Sequence, residues 1–365
     1  MLRCIRKKYS GAEGERFGPT LAAEHLAEED GMAVDHETLR RWMLEAGLWN
    51  RRRRRKKHCQ RRERKPHFGE LVQVDGSFHD WLEDRGPRGC LMNMVDDATG
   101  TTAARMGKEE TIWAAVGLLR VWIEQYGVPR ALYTDWKNVY RRKATSSEQL
   151  RGEVPVTQFG AICQKLGIGI IAASSPQAKG RVERNHGTHQ DRLIKKLRRR
   201  SIATYEAANQ YLEQEYLPQH NRRFARPPAR TEDYHGRRPR ARELREIFRL
   251  EKMRTISNDW VIRHNGGWLQ LHPGTRRYGP TRSQALVCEY EDGSLELYYR
   301  GERIRYHPIA EPIREAAEAR RPVAGPGVRN KPRPDHPWRL GYEMRTGTQT
   351  PPAAPPVVQH PSASP

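Results

Sequence analysis

Between residues 70 and 175 the spacing of apolar positions changes several times, and each change marks an element. The runs ELVQVDG (70–76), CLMNMVDD (90–97) and TTAARM (101–106) read as three strands. Turn signals at EDRGPRG and DATG separate them. Residues 111–127 carry helical spacing closed by Gly127, with Pro129 beyond it. A short buried strand over 130–136, a helix over 156–167 and another strand over 168–175 follow. A long basic helix is then predicted over 176–200, with Ser175 as N-cap and Pro176 at the first helical position. The order β-β-β-α-β-α-β-α predicts an α/β domain built on a mixed five-stranded sheet.

The flanks read differently. Residues 17–49 predict two short helices, the first over 20–29 and stopping near Gly31. Asp35 is placed to cap the second, in which Leu39, Trp42, Met43 and Ala46 share one face, and Gly47 ends it. The first helix is acidic (Glu24, Glu28, Glu29, Asp30), whereas the second turns Arg40 and Arg41 outward, as a recognition helix would. Residues 205–224 continue in helices, and 255–309 alternate around tight turns at NGG and EDG, predicting a small antiparallel, barrel-like β domain. Eleven of the 25 prolines fall in the last 44 residues, a composition that predicts disorder. The expected divisions are a helix-turn-helix segment (1–50), a basic linker (51–66), a core (67–225), a connector (226–254), the β domain (255–312) and the tail (313–365).

Charge narrows the partners. The chain carries 66 Lys and Arg against 44 Asp and Glu, a formal +22, which calls for a polyanion. No apolar run is long enough to span a bilayer, and MLRCIRKKYS lacks an apolar signal core, so nucleic acid in the cytoplasm is the expected setting. Residues 51–65, including Arg51, Arg52 and Arg53, hold eleven Lys and Arg and one acid, a run suited to tracking a DNA backbone. The five cysteines are scattered without a C-x-x-C pair, which fits reduced thiols rather than disulfides or zinc.

Candidate chemistry lies in three acids. Asp75 closes the first predicted strand and Asp135 the fourth, so parallel neighbours would bring both to one sheet edge. Glu183, in SPQAKGRVERNH, follows the fifth strand; it could pair with Arg181 or Arg184, or join the other two acids. Three gathered carboxylates repel unless cations lie between them, and an all-oxygen set suits magnesium. Two such ions could serve in-line displacement at phosphorus. Asp96 and Asp97 read as turn residues, Asp80 and Asp84 as solvated, and His186 and His189 as packed beside Val182, Leu193 and Leu197.

The stretches GELVQVDGSFHDWLEDRGP, DDATG, ALYTDWKNVYR, PQAKGRVERNHGTHQDRL and HNRRFARPP resemble bacterial insertion-sequence transposases of the ISNCY group, whose catalytic core is RNase H-like and of the retroviral-integrase type. FGPTLAAEHL…ETLRRWMLEAGLW resembles that group's second helix-turn-helix. The resemblance spans about residues 16–310. It implies a DDE transposase that cleaves transposon ends and transfers strands into target DNA, with Asp75, Asp135 and Glu183 as metal ligands. Two Mg2+ ions are implied, with Mn2+ able to substitute. It also implies phosphate contacts from Lys137, Lys179, Arg181 and Arg184, and a dimer or larger assembly on double-stranded DNA at the bacterial nucleoid. Relatives carry another helix-turn-helix upstream, a departure that leaves open how terminal repeats are recognised, and Trp136-Lys137-Asn138 departs from the usual residues after the second acid. A truncated repressor that binds without cutting, or an RNase H-like nuclease, are the alternative readings.

Replacing Arg51, Arg52 and Arg53 with alanine should weaken binding to all DNA sequences alike. Each lost phosphate contact should flatten the slope of log K against log salt by about 0.9. Fluorescence anisotropy across a salt series measures it, and an unchanged slope would make the run a mere spacer.

Overall fold

A computed structural model describes residues 1–11, 15–50, 62–135, 139–140, 146–152, 155–173, 179–272 and 282–310. The basic run 51–61, the loop 136–138 with Lys137, the expected cap at Ser175 and Pro176, and the tail beyond 310 lie outside the described residues. Met1–Ile309 forms one unit, and Ala310–Pro365 another.

The first unit is organised by a mixed sheet of order β3-β2-β1-β4-β5. Its strands are β1 (Val72–His79), β2 (Gly89–Asp96), β3 (Thr102–Gly107), β4 (Ala131–Thr134) and β5 (Gly169–Ala172). β1, β2 and β3 pair antiparallel, whereas β4 and β5 run parallel to β1. This is the α/β arrangement the sequence predicts, a mixed five-stranded sheet with helices on both faces. β2 is buried along its whole length, which is why CLMNMV reads as a continuous apolar run. Val72, Val74, Met92 and Met94 face α4 (Ile112–Tyr126) and, beyond α5 (Ser146–Arg151), α6 (Gln158–Lys165). Leu91, Ala104 and Met106 face α7 (Gly180–Arg199), α8 (Tyr205–Tyr211) and α9 (Leu217–Phe224). A π-helical turn at Leu212–Tyr216 joins the last two.

The segment after β1 departs from expectation. Asp84 is exposed, but Trp81 and Leu82 beside it are fully buried in the core under α7. The Trp81 indole donates to the Ser77 carbonyl at 3.0 Å, so this polar-looking hairpin is anchored by its two apolar residues. Asp80 is half-buried for the same reason.

The N-terminal unit has three helices: α1 (Leu2–Lys8), α2 (Pro19–Asp30) and α3 (His36–Glu45). Asp35 caps α3 as expected, accepting from the Glu37 and Thr38 amides at 3.0 and 3.1 Å. α1 was not legible, yet its Ile5 and the following Tyr9 complete the small core with Leu21, Leu26, Leu39 and Met43. Trp42 is 39% exposed and does not join that face, because Leu39 and Met43 fill the contact with α2. The acidic helix α2 docks on the basic flank of α7 and α9. Glu24 receives Arg192 bidentately at 2.6 and 2.8 Å and meets Arg223 at 2.6 Å, while Glu29 accepts from Arg199 at 3.1 Å.

The expected connector is packed rather than loose. The Trp122 indole donates to His235 at 3.1 Å, Tyr234 stacks on His67, and Leu244 and Phe248 around α10 (Ala241–Ile247) enter the main core. The β region starts earlier than expected, with β6 (Leu250–Thr255), then β7 (Val261–His264), β8 (Gly267–Leu271), β9 (Gln284–Glu289), β10 (Leu295–Tyr299), β11 (Glu302–Ile304) and β12 (Tyr306–Ile309). Among the described residues these pair as two antiparallel sheets, β11-β10-β9-β6 and β12-β8-β7. The two share a core of Ile256, Ile262, Leu269, Val287 and Leu297.

Trp81→Ala should destabilise the fold by about 3–5 kcal/mol, the range for emptying a buried aromatic site. Chemical denaturation followed by circular dichroism tests this; a loss below about 1 kcal/mol would mean that Trp81 is not the anchor of its segment.

Candidate active site

Asp75 does not close its strand, as the sequence reading had it. β1 continues to His79, still paired with β2 through Gly76↔Met92 to His79↔Gly89. What ends at this point is β4. Val72 pairs with Leu132 and Gln73 with Tyr133, and two further residues of that register set Asp75 against Asp135, directly after β4 ends at Thr134. Adjacent strands lie about 4.8 Å apart, so the register brings the backbones of residues 75 and 135 to neighbouring positions at one edge of the sheet.

Glu183 comes from the first turn of α7, which crosses the face of β1 and β2 that carries Asp75. Its carboxyl is held above the ordinary glutamate range, first by burial and then by the negative charge of Asp75, with Lys179 opposing. Lys179 lies 2.8 Å from Asp75 Oδ1, and His186 Nε2 lies 3.7 Å from Asp75 Oδ2. Asp75 is thus the point on which the other groups converge. His189 is fully buried and shares a 2.9 Å hydrogen bond with the Tyr216 hydroxyl, as a packed histidine would. Burial pushes His189 well below its usual range, and the neighbouring His220 falls to about 4 for the same first cause.

Two further groups at this edge escaped sequence reading. Burial, then the charges of Glu110, Asp135 and Asp75, push the Tyr140 hydroxyl far above the usual phenol range. Glu110 fills the space beside Gly76: a Cβ there would come within 2.6 Å of Glu110 Oε2. Glu110 precedes a helix cap in KEET, where an acid usually needs no more explanation than the helix dipole. Nothing in the local pattern marks it.

In chemistry alone the donors suit a hard cation: Asp75 and Glu183 offer oxygen ligands, Glu183 is raised by burial and then by the Asp75 charge, and Lys179 supplies the counter-charge. Among the described residues, no three Asp, Glu, His or Cys groups are drawn together closely enough to hold a metal.

The cations expected on phosphate divide. Arg184 and Arg41 are exposed, and Arg40 is half-buried and paired with Glu37. Arg181 turns inward, its guanidinium 2.9 Å from the fully buried Asp97, so the phosphate role implied for it does not follow from its placement. Burial lowers its pKa and the Asp97 charge opposes this. Lys179 is buried against Asp75 rather than exposed. Asp96 fits its turn role, accepting from the Thr99 amide at 2.7 Å and the Gly69 amide at 3.0 Å.

No family model matches the chain. It is 37% identical over 304 residues to y4bF of Sinorhizobium fredii (strain NBRC 101917 / NGR234), a protein named as a candidate transposase; the match covers 83% of this chain and 65% of that one. It is 27% identical over 379 aligned positions to the transposase for insertion sequence IS1202 of Streptococcus pneumoniae, covering 92% and 79%. The chain is thus similar to proteins named as transposases. It spans 65% of the length of y4bF. Among solved structures it is similar to the HTLV-2 integrase catalytic core domain in complex with magnesium (TM-score 0.30, 18% identity, 40% of this chain and 83% of that one). It is also similar to the simian T-cell lymphotropic virus intasome in complex with PP2A regulatory subunit B56 gamma (TM-score 0.34, 15% identity, 80% and 100%). No helix among the described residues is long and apolar enough to cross a membrane.

Lys179 opposes the burial and the Asp75 charge that raise the Glu183 carboxyl. Lys179→Met should therefore raise that pKa further. A pH titration of the Glu183 carboxyl carbon by nuclear magnetic resonance in metal-free protein measures this; an unmoved midpoint would refute the coupling.

Proposed function

We propose that this chain cuts DNA at the ends of an insertion sequence and joins those ends to a target, with Asp75, Asp135 and Glu183 holding the divalent cations required. The observation that carries this reading is the strand register that sets Asp75 beside Asp135, with Glu183 charge-coupled to Asp75. Hydrolysis at an element end releases a 3′-hydroxyl. That hydroxyl then attacks a target phosphodiester, one P–O bond forming as another breaks, and no covalent enzyme intermediate is needed. When bound, two magnesium ions, or manganese in their place, would neutralise charge on the attacking and leaving oxygens. The three carboxylates supply the negative charge that retains those ions. Lys179 offsets Asp75 when they are absent. Exposed cations such as Arg184 meet phosphate.

The helical unit and the basic linker hold the element ends, the core performs the transfers, and the β region braces DNA or a second copy of the chain. Two ends processed together call for a dimer or larger assembly, working on the nucleoid in the bacterial cytoplasm.

Glu183→Gln keeps the size of the side chain and removes its charge. The variant should bind end-containing DNA as well as the wild type or better, while magnesium-dependent cleavage falls at least about a hundredfold. Asp75→Asn and Asp135→Asn should behave alike, and pairs should be little worse than singles, since the three act as one unit. Cleavage of labelled DNA by the purified full chain is the assay. Activity that survives Glu183→Gln would refute its role, and a wild type that binds without ever cutting would favour the repressor reading.

A further inference from the structure

The helix that carries Glu183 begins without a cap of its own. Lys179 stands at the N-cap of α7 and its side chain makes no capping hydrogen bond. The backbone N–H of Val182, in the helix's first turn, donates instead to Gln73 Oε1 at 3.1 Å. Gln73 lies in β1 and is fully buried, and its other end is committed as well: Nε2 donates to Asp97 Oδ1 at 2.8 Å. Asp97, also fully buried, accepts from the Lys65 amide at 2.8 Å and pairs with Arg181 at 2.9 Å and with Arg62. Arg64 donates to the Ala98 carbonyl at 3.0 Å beside it.

The sequence positions give this network its meaning. Gln73 precedes Asp75 by two residues and shares its face of the strand, while Val182 directly precedes Glu183. One buried hydrogen bond thus sets where the helix starts relative to the strand. A slip of one residue would move the helix about 1.5 Å and turn it about 100°, carrying Glu183 away from Asp75. An apolar contact would resist neither motion, because it has no preferred partner atom. Burying a carboxylate and a guanidinium is also costly in solvation, so packing alone does not account for Asp97 and Arg181.

We propose that Gln73 and Asp97 form a positioning clamp: they hold the first turn of α7 so that Glu183 faces Asp75, and they tie that placement to the end of the basic linker through Arg62 and Lys65. The clamp rests on the catalytic reading above, since the Asp75–Glu183 pair is what it positions. It also gives the linker a route to the site, because residues 62–65 and the first turn of α7 share one carboxylate.

The test uses the full chain with Gln73→Met, which keeps length and removes both hydrogen bonds, and Asp97→Asn, which keeps shape and removes the charge. Val116→Ala in α4 is the control for general destabilisation, being buried in the core away from the network. Three quantities are measured: melting temperature, hydrogen exchange of peptides covering residues 180–186, and Mn2+ affinity by electron paramagnetic resonance. Both clamp variants should exchange at least about tenfold faster in the first turn of α7. They should bind Mn2+ about 10–100-fold more weakly, the usual loss when a group orienting a metal ligand is removed. Val116→Ala should lower the melting temperature and leave Mn2+ affinity unchanged. If Gln73→Met fails to fold, Asp97→Asn carries the same expectations. Exchange or Mn2+ affinity that matches the wild type in the clamp variants would overturn the proposal. A wild type that binds no Mn2+ would overturn the catalytic reading and the clamp's purpose with it, an outcome visible before any variant is made.

Discussion

The parallel pairing of β1 with β4 is short, Val72 with Leu132 and Gln73 with Tyr133, and the site depends on where it stops. Because β4 ends first, β1 runs on past Asp75 with one neighbour instead of two, and a notch opens in the sheet beside a strand that stays rigid. Parallel strands point their carboxyl ends the same way, so the backbones of residues 75 and 135 come to the same edge without any loop having to fold back. An antiparallel β4 would have sent Asp135 to the far edge. β2, which does run antiparallel, places Asp97 at the opposite end of β1, beside Leu71.

α7 crosses that sheet in two physically different halves. Its C-terminal half buries Leu193, Ile194 and Leu197 against Trp81, Leu91 and Met106, which supplies adhesion without fixing position. Its N-terminal half rests on a polar seam. Val182 bonds to Gln73, Asn185 to Asn93 and Thr102, and Lys179 to Asp75. Directional bonds at one end and apolar burial at the other let the helix be both firmly held and accurately aimed. Val182, His186, His189, Leu193 and Leu197 form the single stripe that spans both halves.

Much of this was legible in the sequence, for identifiable reasons. β2 announced itself because burial on both faces forces an apolar run, and Asp35 and Gly31 mark helix ends by their own chemistry. The three candidate acids stood out because strand ends were read beside them, although Asp75 lies within β1. What stayed hidden depends on contacts remote in sequence. Trp81 looked like part of a solvated hairpin because its partners, Leu193 and Leu197, lie more than a hundred residues away. Asp97 looked like a turn residue because its turn is local and its partner Arg181 is not. Glu110 and Tyr140 meet at the site only because α4 and the segment after β4 return to the same edge. Trp42 fitted the periodicity of α3 and still points partly to solvent, since a face shared by spacing need not be a face in contact.

The docking of α2 on α7 and α9 bears on how such a molecule can be rebuilt. Glu24 serves Arg192 and Arg223 together, and Glu29 serves Arg199, so the acids of one unit are matched to arginines more than 160 residues away in the core. A helical unit grafted from a relative would arrive with acids set for a different arrangement of cations. The mismatch would leave the half-buried Arg192 without its counter-ion. The N-terminal helices of this chain are therefore not an interchangeable module, and exchanging them requires that the arginines of α7 and α9 travel with them.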